Sequence, residues 1–197
     1  MTAPEGRGVK RPARASLLEA AARLFYADGV AATGIDAITT AAGVAKKSLY
    51  NNFASKADLV AAYLADRHEE WLALYRDRVA SAAGAQERVL AVFDAYIDHA
   101  NFAYEHGFRG CGLLNAAAEL PAGAPGRQAV RQHKEEVEGL LLRHLAELLP
   151  HQDEAAGRVA RHLAFLLEGS MARAGLEGGD RCLHEARIIA ARMLAEL

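Results

Sequence analysis

Between Lys46 and Lys56 the chain gathers side chains that donate hydrogen bonds or carry positive charge: Lys46, Lys47, Ser48, Tyr50, Asn51, Asn52 and Lys56. Asparagine can pair bidentately with adenine, and lysine can donate to guanine, on the major-groove edge of duplex DNA. Serine, tyrosine and lysine are also good donors to phosphate. The group follows Ala42-Gly43-Val44 and lies between alanine-rich apolar stretches. A solvated loop would account for the polarity. A short helix laid against DNA would account for both the polarity and the apolar residues set into it, Leu49 and Phe53. Thr33, further upstream, offers one more hydroxyl to a nearby phosphate.

Such a helix needs neighbours to hold it. After Pro12, a residue that can open a helix, Leu17, Leu18, Ala21, Leu24 and Phe25 recur at helical spacing. Asp28-Gly29 closes that helix, with Gly29 expected in the left-handed C-terminal position. Thr33, with Asp36 three residues on, reads as the N-cap of a short helix whose Ile35, Ile38 and Ala42 face inward. Gly43 can turn with positive φ at no steric cost, and a second short helix runs from about Lys46 to Asn52. Ser55 caps a third, longer helix carrying Leu59, Val60, Tyr63, Leu64, Trp71 and Tyr75. Two short helices about a glycine turn, the second polar on one side, make a helix-turn-helix.

Residues Arg14 to Leu64 carry a closer likeness. The stretch LLEAAARLFYADGVAATGIDAITTAAGVAKKSLYNNFASKADLVAAYL resembles the DNA-binding domain of the TetR (tetracycline-repressor-like) family of transcriptional regulators. Ala21, Leu24, Phe25, Gly29, Thr33, Ile38, Ala42-Gly43-Val44, Lys46, Leu49-Tyr50, Phe53 and Ser55-Lys56 carry it. There are departures. Thr39 replaces the usual alanine, its hydroxyl expected to bond the carbonyl four residues back. Ala45 replaces the usual Ser or Thr cap. Lys47 stands where a small residue is common, and Asn51-Asn52 replaces a pair usually aromatic or histidine, so no operator sequence carries over. The resemblance implies a small N-terminal three-helix domain and a larger helical domain that takes a ligand and forms a homodimer through the last two helices.

The bulk of the chain agrees. Its 197 residues are 52% hydrophobic with five prolines, enough for a real core and biased to helix. Residues 1–56 carry eight Lys/Arg against four Asp/Glu, and residues 57–197 carry fifteen against twenty-one. A basic front and an acidic back point to a polyanion partner for the front. Two cysteines make no disulfide framework. No apolar run approaches the ~20 residues that span a bilayer, and the N-terminus shows no secretory pattern. These features predict a cytoplasmic protein with no membrane partner. The expected layout is a loose arm over 1–11, the helix-turn-helix domain over 12–56 and an effector-binding and dimerisation domain over 57–197. About nine helices and no strand are expected, so the fold class is all-α. Later helices are expected at about Cys111–Leu120, Arg127–Leu149, Asp153–Ala174 and Arg181–Glu196, with PAGAPG (121–126) as a breaker. RGCGLLNAAAEL (109–120) also resembles the sixth-helix region of one branch of the family.

Aromatic residues concentrate between 63 and 108, and apolar pockets with a few polar groups are the usual ligand sites. The candidate ligand-binding residues are His68, Trp71, Tyr75, Phe93, Tyr96, Cys111, Asn115 and His133; each taken singly also reads as ordinary core. No cofactor is expected. The eight histidines show no metal-ligand spacing. Two other readings remain open. One is a ligand-independent DNA-organising protein on the same scaffold. The other is an enzyme using Cys111 with His133 and Glu119, for which no nucleophile signature surrounds the cysteine.

Overall fold

A computed structural model describes residues 12–102 and 104–197; the expected arm over 1–11 lies outside the described residues. Among the described residues there are nine helices and no strand: α1 (Ala13–Asp28), α2 (Ile35–Ala42), α3 (Lys46–Asn52), α4 (Lys56–Ala80), α5 (Ala85–Ala100), α6 (Gly112–Ala118), α7 (Pro125–Leu148), α8 (Asp153–Glu177) and α9 (Arg181–Ala195). The chain divides into two compact units, with the boundary between Tyr63 and Leu64, inside α4.

The first unit packs α1 against both short helices. Leu17, Ala21, Ile38, Leu49 and Leu59 are fully enclosed, and Tyr63 meets Phe25 edge-on at 5.5 Å between ring centroids. The second unit is built on pairings of α7 with α8, α5 with α7 and α9, and α8 with α9. Alanines on α8 and α9 (Ala156, Ala160, Ala174, Ala186, Ala190) are buried among Leu163, Leu167, Met171, Leu183 and Leu194. Small residues at helical spacing let the axes approach, and the leucines fill what remains.

Glycine permits a close main-chain approach in this unit. The 109–110 segment crosses α8 at Gly175, where a Cβ would stand 2.6 Å from the Gly110 amide nitrogen and 2.7 Å from both the Arg109 carbonyl carbon and the Gly110 Cα. Gly110 itself has φ 81°.

Some helix ends differ from the sequence reading. α7 starts inside the expected breaker, because Pro125 occupies its first turn, where a missing N–H costs nothing. α6 is shorter than expected, and α8 runs three residues further, to a left-handed Gly178.

Candidate nucleic-acid interface and interior cluster

α3 matches the expected Lys46–Asn52 span. Seven residues are too few to be stable by propensity alone, so tertiary contacts hold it. Leu49 has no exposed surface and Phe53 is buried, with the Arg14 guanidinium 5.2 Å above the Phe53 ring. The corner before it is a glycine structure: Gly43 has φ 65° and ψ 31°, its N–H donates to Thr40 O, and the Val44 N–H reaches Thr39 O at 3.1 Å. A side chain with a Cβ would be strained at that φ.

With Leu49 turned inward, Lys46, Lys47, Tyr50, Asn51 and Asn52 are exposed, and Ser48 and Lys56 are half-exposed. The Asn52 amide donates back to Ser48 O at 2.8 Å. Lys46 Nζ lies 2.8 Å from an Asp36 carboxylate oxygen on α2, and this partner raises the lysine's pKa. Ala45 sits at the N-cap of α3 with no side-chain bond, as its type dictates. The Ser55 hydroxyl accepts from the Asp58 N–H at 3.1 Å and opens α4.

Thr33 departs from its expected part. It is 3% exposed. Its hydroxyl donates to Gly29 O at 2.6 Å, with Leu24 O at 3.3 Å. The N-cap of α2 is Gly34 instead. A hydroxyl spent on buried carbonyls ties the α1–α2 turn together and is not presented to phosphate. Gly29 has the expected positive φ, 95°, but an extended ψ of 158°. The Thr39 hydroxyl bonds Asp36 O, three residues back rather than four.

In the second unit, α4 presents His68, Trp71 and Tyr75 along one face, at spacings of three and four residues. Trp71 stacks on Tyr75 (centroids 5.7 Å, planes 7° apart), tilts against Tyr96 of α5 at 5.1 Å and meets the His133 ring of α7 edge-on at 5.4 Å. His68 Nδ1 and His133 Nδ1 are 2.8 Å apart, so one ring donates and the other accepts. His133 Nε2 lies 3.4 Å from the Tyr96 hydroxyl. Burial, aided by the Lys134 charge, pushes the His133 pKa down to about 3, so the ring is neutral at neutral pH. The other end of this face is closed by Tyr75, whose hydroxyl is 2.7 Å from His144 Nε2.

Sequence reasoning missed three members of this group: Lys134, Glu168 and His144. Lys134 Nζ donates to the Tyr96 hydroxyl at 3.3 Å and pairs with Glu168 of α8 at 2.9 Å. Burial disfavours its ammonium, but Cys111, Tyr96 and Glu168 outweigh burial and raise its pKa. The signal was present: Lys134 falls on the inward stripe of Val130, His133, Val137 and Leu141, where an unpaired lysine would be costly.

Phe93 is fully enclosed one turn before Tyr96, and Cys111 is buried at the N-cap of α6, near enough to Tyr96 and Lys134 to act on both electrostatically. Asn115 is not brought into the group; its amide donates to Arg109 O and steadies the turn before α6. Both ring nitrogens of His133 are engaged by His68 and Tyr96, which leaves the Cys111–His133–Glu119 arrangement without a free base.

Among the described residues, no helix is long and apolar enough to cross a membrane, and no three His, Cys, Asp or Glu side chains converge to hold a metal.

The family model for "Bacterial regulatory proteins, tetR family" matches residues 17–63. The chain is 33% identical to a TetR-family transcriptional regulator from Streptomyces coelicolor of known structure, covering 93% of this chain and 94% of that one with a TM-score of 0.82. A putative TetR regulator from Streptomyces avermitilis is 31% identical over 94% and 97% of the two chains, TM-score 0.77. Among curated relatives, the HTH-type transcriptional repressor KstR2 of Mycobacterium tuberculosis is 40% identical over 82 residues, 42% of this chain and 41% of that protein. The HTH-type transcriptional activator FasR of Mycolicibacterium smegmatis is 32% identical over 124 residues, 56% and 55%. The match thus spans about half or less of the curated relatives' length.

With a glycine-cornered helix pair whose second helix is polar, and likeness over nearly the full length to a TetR-family transcriptional regulator, the chain is a DNA-binding transcriptional regulator and not an enzyme. The chain belongs to the TetR family.

Proposed function

We propose that the protein is a repressor that binds a palindromic operator as a homodimer and is released by a small molecule held in its second unit. The observation that carries the DNA half is the division of α3 into two faces. Leu49 and Phe53 anchor it, while Lys46, Lys47, Ser48, Tyr50, Asn51 and Asn52, with Lys56 on the next helix, are left to meet phosphates and base edges. One such helix reads only a few base pairs; two related by a dyad read two half-sites about one helical turn apart.

Exposed apolar side chains on the last two helices support the dimer. Phe165 is 65% exposed on α8, and Ile188 and Ile189 are exposed on α9. Apolar groups clustered on a surface invite a partner, and a second copy placing α8 and α9 against its own would cover them isologously. The buried group around Trp71 is the seat for the effector, contributed by His68, Trp71, Tyr75, Tyr96, Cys111 and His133 with Phe93 behind them. The protein acts on DNA in the cytoplasm. A ligand there can lower operator affinity only by its preference for the conformation that does not bind DNA.

The test is selection of bound duplexes from a random pool, followed by a screen for compounds that release the protein. Recovery of a palindrome, and its release by a small molecule, is expected. A monomer indifferent to every duplex at low ionic strength refutes the proposal. Operator binding that no compound relieves favours the DNA-organising alternative. A reporter gene decides the sign of regulation, since KstR2 is named a repressor and FasR an activator.

A further inference from the structure

We propose that the effector is an uncharged, flat molecule carrying a hydrogen-bond acceptor, and that the indole N–H of Trp71 is the donor that reads it. This rests on the ligand-responsive reading above and specifies the chemistry of the same site.

Three observations lead there. First, Trp71 is 3% exposed, and its Nε1 is a buried donor that no acceptor among the described residues reaches. A buried indole N–H ordinarily has a partner, because leaving it unpaired forfeits its hydrogen bond to water. The polar groups around it are already matched: His68 with His133, Tyr75 with His144, Tyr96 with Lys134, and Lys134 with Glu168. What the indole lacks is one acceptor.

Second, the side chains packed on the Trp71 ring are themselves rings. The Tyr75 plane is 7° from that of Trp71, Tyr96 is tilted at 48° and the His133 ring stands at 88°. Such walls favour a flat apolar body with its polar atom at one edge.

Third, the charges near this group are paired, Arg67 with Glu70 on α4 among them. Lys134 and Glu168 neutralise one another at 2.9 Å, and burial keeps His133 neutral. A charged ligand would bring an ion with no counter-ion into a buried site, a heavy desolvation penalty. A carbonyl or ether oxygen carries no such penalty and satisfies the indole.

Trp71 is the chain's single tryptophan, so its emission reports on this site directly. Four probes separate the chemistries: 9-fluorenone (flat, uncharged, one carbonyl), fluorene (the same skeleton without the acceptor), fluorene-9-carboxylate (an anion) and proflavine (a cation). Binding to the full-length protein is measured by calorimetry, and Trp71 emission confirms the location. Fluorenone should bind about tenfold more tightly than fluorene and alter Trp71 emission, with both charged probes weaker than fluorenone. Trp71→Phe keeps an aromatic ring and removes the N–H, and should bring fluorenone and fluorene within about twofold of each other. The wild-type comparison stands even if that variant folds poorly.

Equal binding of fluorene and fluorenone by the wild type, discrimination that survives in a folded Trp71→Phe, a preference for either ion, or no binding by any probe (a water accepting from the indole) overturns the proposal. Operator release is scored separately. A charged compound that releases operator and shields Trp71 leaves the regulator reading intact and sinks the ligand class. The expected probe pattern with no operator release by any compound does the opposite.

Discussion

Replacing Gly175 with alanine tests a close backbone crossing in the second unit. On an isolated helix the change would stabilise by about 0.5–1 kcal/mol, because glycine loses more backbone freedom on folding. Here the new methyl carbon would lie 2.6 Å from Gly110 N, 2.7 Å from Gly110 Cα and 2.7 Å from Arg109 C. All three are main-chain atoms, so no side-chain end can swing aside, and Gly110 is held at φ 81° against Met171 O and Gly175 Cα. Overpacking of this kind costs about 1–3 kcal/mol, and here it outweighs the propensity gain. For a chain of this size each kcal/mol moves the melting temperature by about 2–4 °C, so Gly175→Ala should melt several degrees below wild type. Gly139→Ala on α7 is the control: no heavy atom lies within 4 Å of its added Cβ, so only the propensity gain remains and the protein should melt slightly higher. Calorimetric scans at one protein concentration decide it. If Gly175→Ala melts at or above wild type while Gly139→Ala behaves as expected, the 109–110 segment is not seated on α8 and the reasoning fails.

Leu49→Ala removes the fully buried anchor of α3 and should cost about 2–5 kcal/mol in a urea melt; an unchanged midpoint would show that α3 does not depend on that side chain. Lys46→Ala and Lys47→Ala should each flatten the salt dependence of operator binding by about 0.9 in log–log slope for every phosphate left without its lysine, so by about twice that in a dimer; a gel-shift series giving the wild-type slope for the double variant counts against phosphate binding by these lysines. The His133 pKa is depressed in the fold, so the stability tied to its neutral form is complete above its ordinary value near 6.5 and drains away as pH falls toward about 3. Urea melts between pH 7 and pH 4.5 should show His133→Gln losing less stability on acidification than wild type, by up to about 1.4 kcal/mol per pH unit. Equal losses would mean the ring is not buried neutral. Phe165→Asp with Ile188→Asp should yield monomers in sedimentation while the fold persists; a dimer surviving both changes excludes the α8–α9 face.

The legible parts of the fold are those governed by local rules. A glycine corner, a serine cap and an apolar residue at helical spacing are decided within a few residues, so α3 and the Ser55 cap follow from the sequence directly. The failures share a cause. Thr33 reads as a cap by type, but the nearby carbonyls of Gly29 and Leu24, invisible in a linear pattern, claim its hydroxyl first. Pro125 reads as a breaker, yet at the first turn of a helix it is an initiator. The interior group is half legible. Aromatic crowding singles out Trp71, Tyr75 and Tyr96, whereas only polarity speaks for Asn115, which bonds elsewhere. Lys134 and Glu168 escape a linear reading because each looks like a surface charge until α7 and α8 are packed together.

That packing bears on why a core would hold such polar residues at all. An apolar set of similar volume would serve stability as well or better. The polar pairs are distributed unevenly, though: His68–His133 and Tyr75–His144 both join α4 to α7, and Lys134–Glu168 joins α7 to α8. Leucine contacts tolerate a helix sliding by a fraction of a turn; a hydrogen bond of 2.7 or 2.8 Å does not. The network therefore fixes the register of α4 against α7 at two points, about three turns apart along α7, and Trp71 lies between them with its donor unspent. A ligand that engages Trp71 acts on the helix that also carries Leu59, Val60 and Tyr63 in the core of the first unit. Under the proposed function, the coupling between effector and DNA is limited by how differently that ligand binds the conformation that holds DNA and the one that does not.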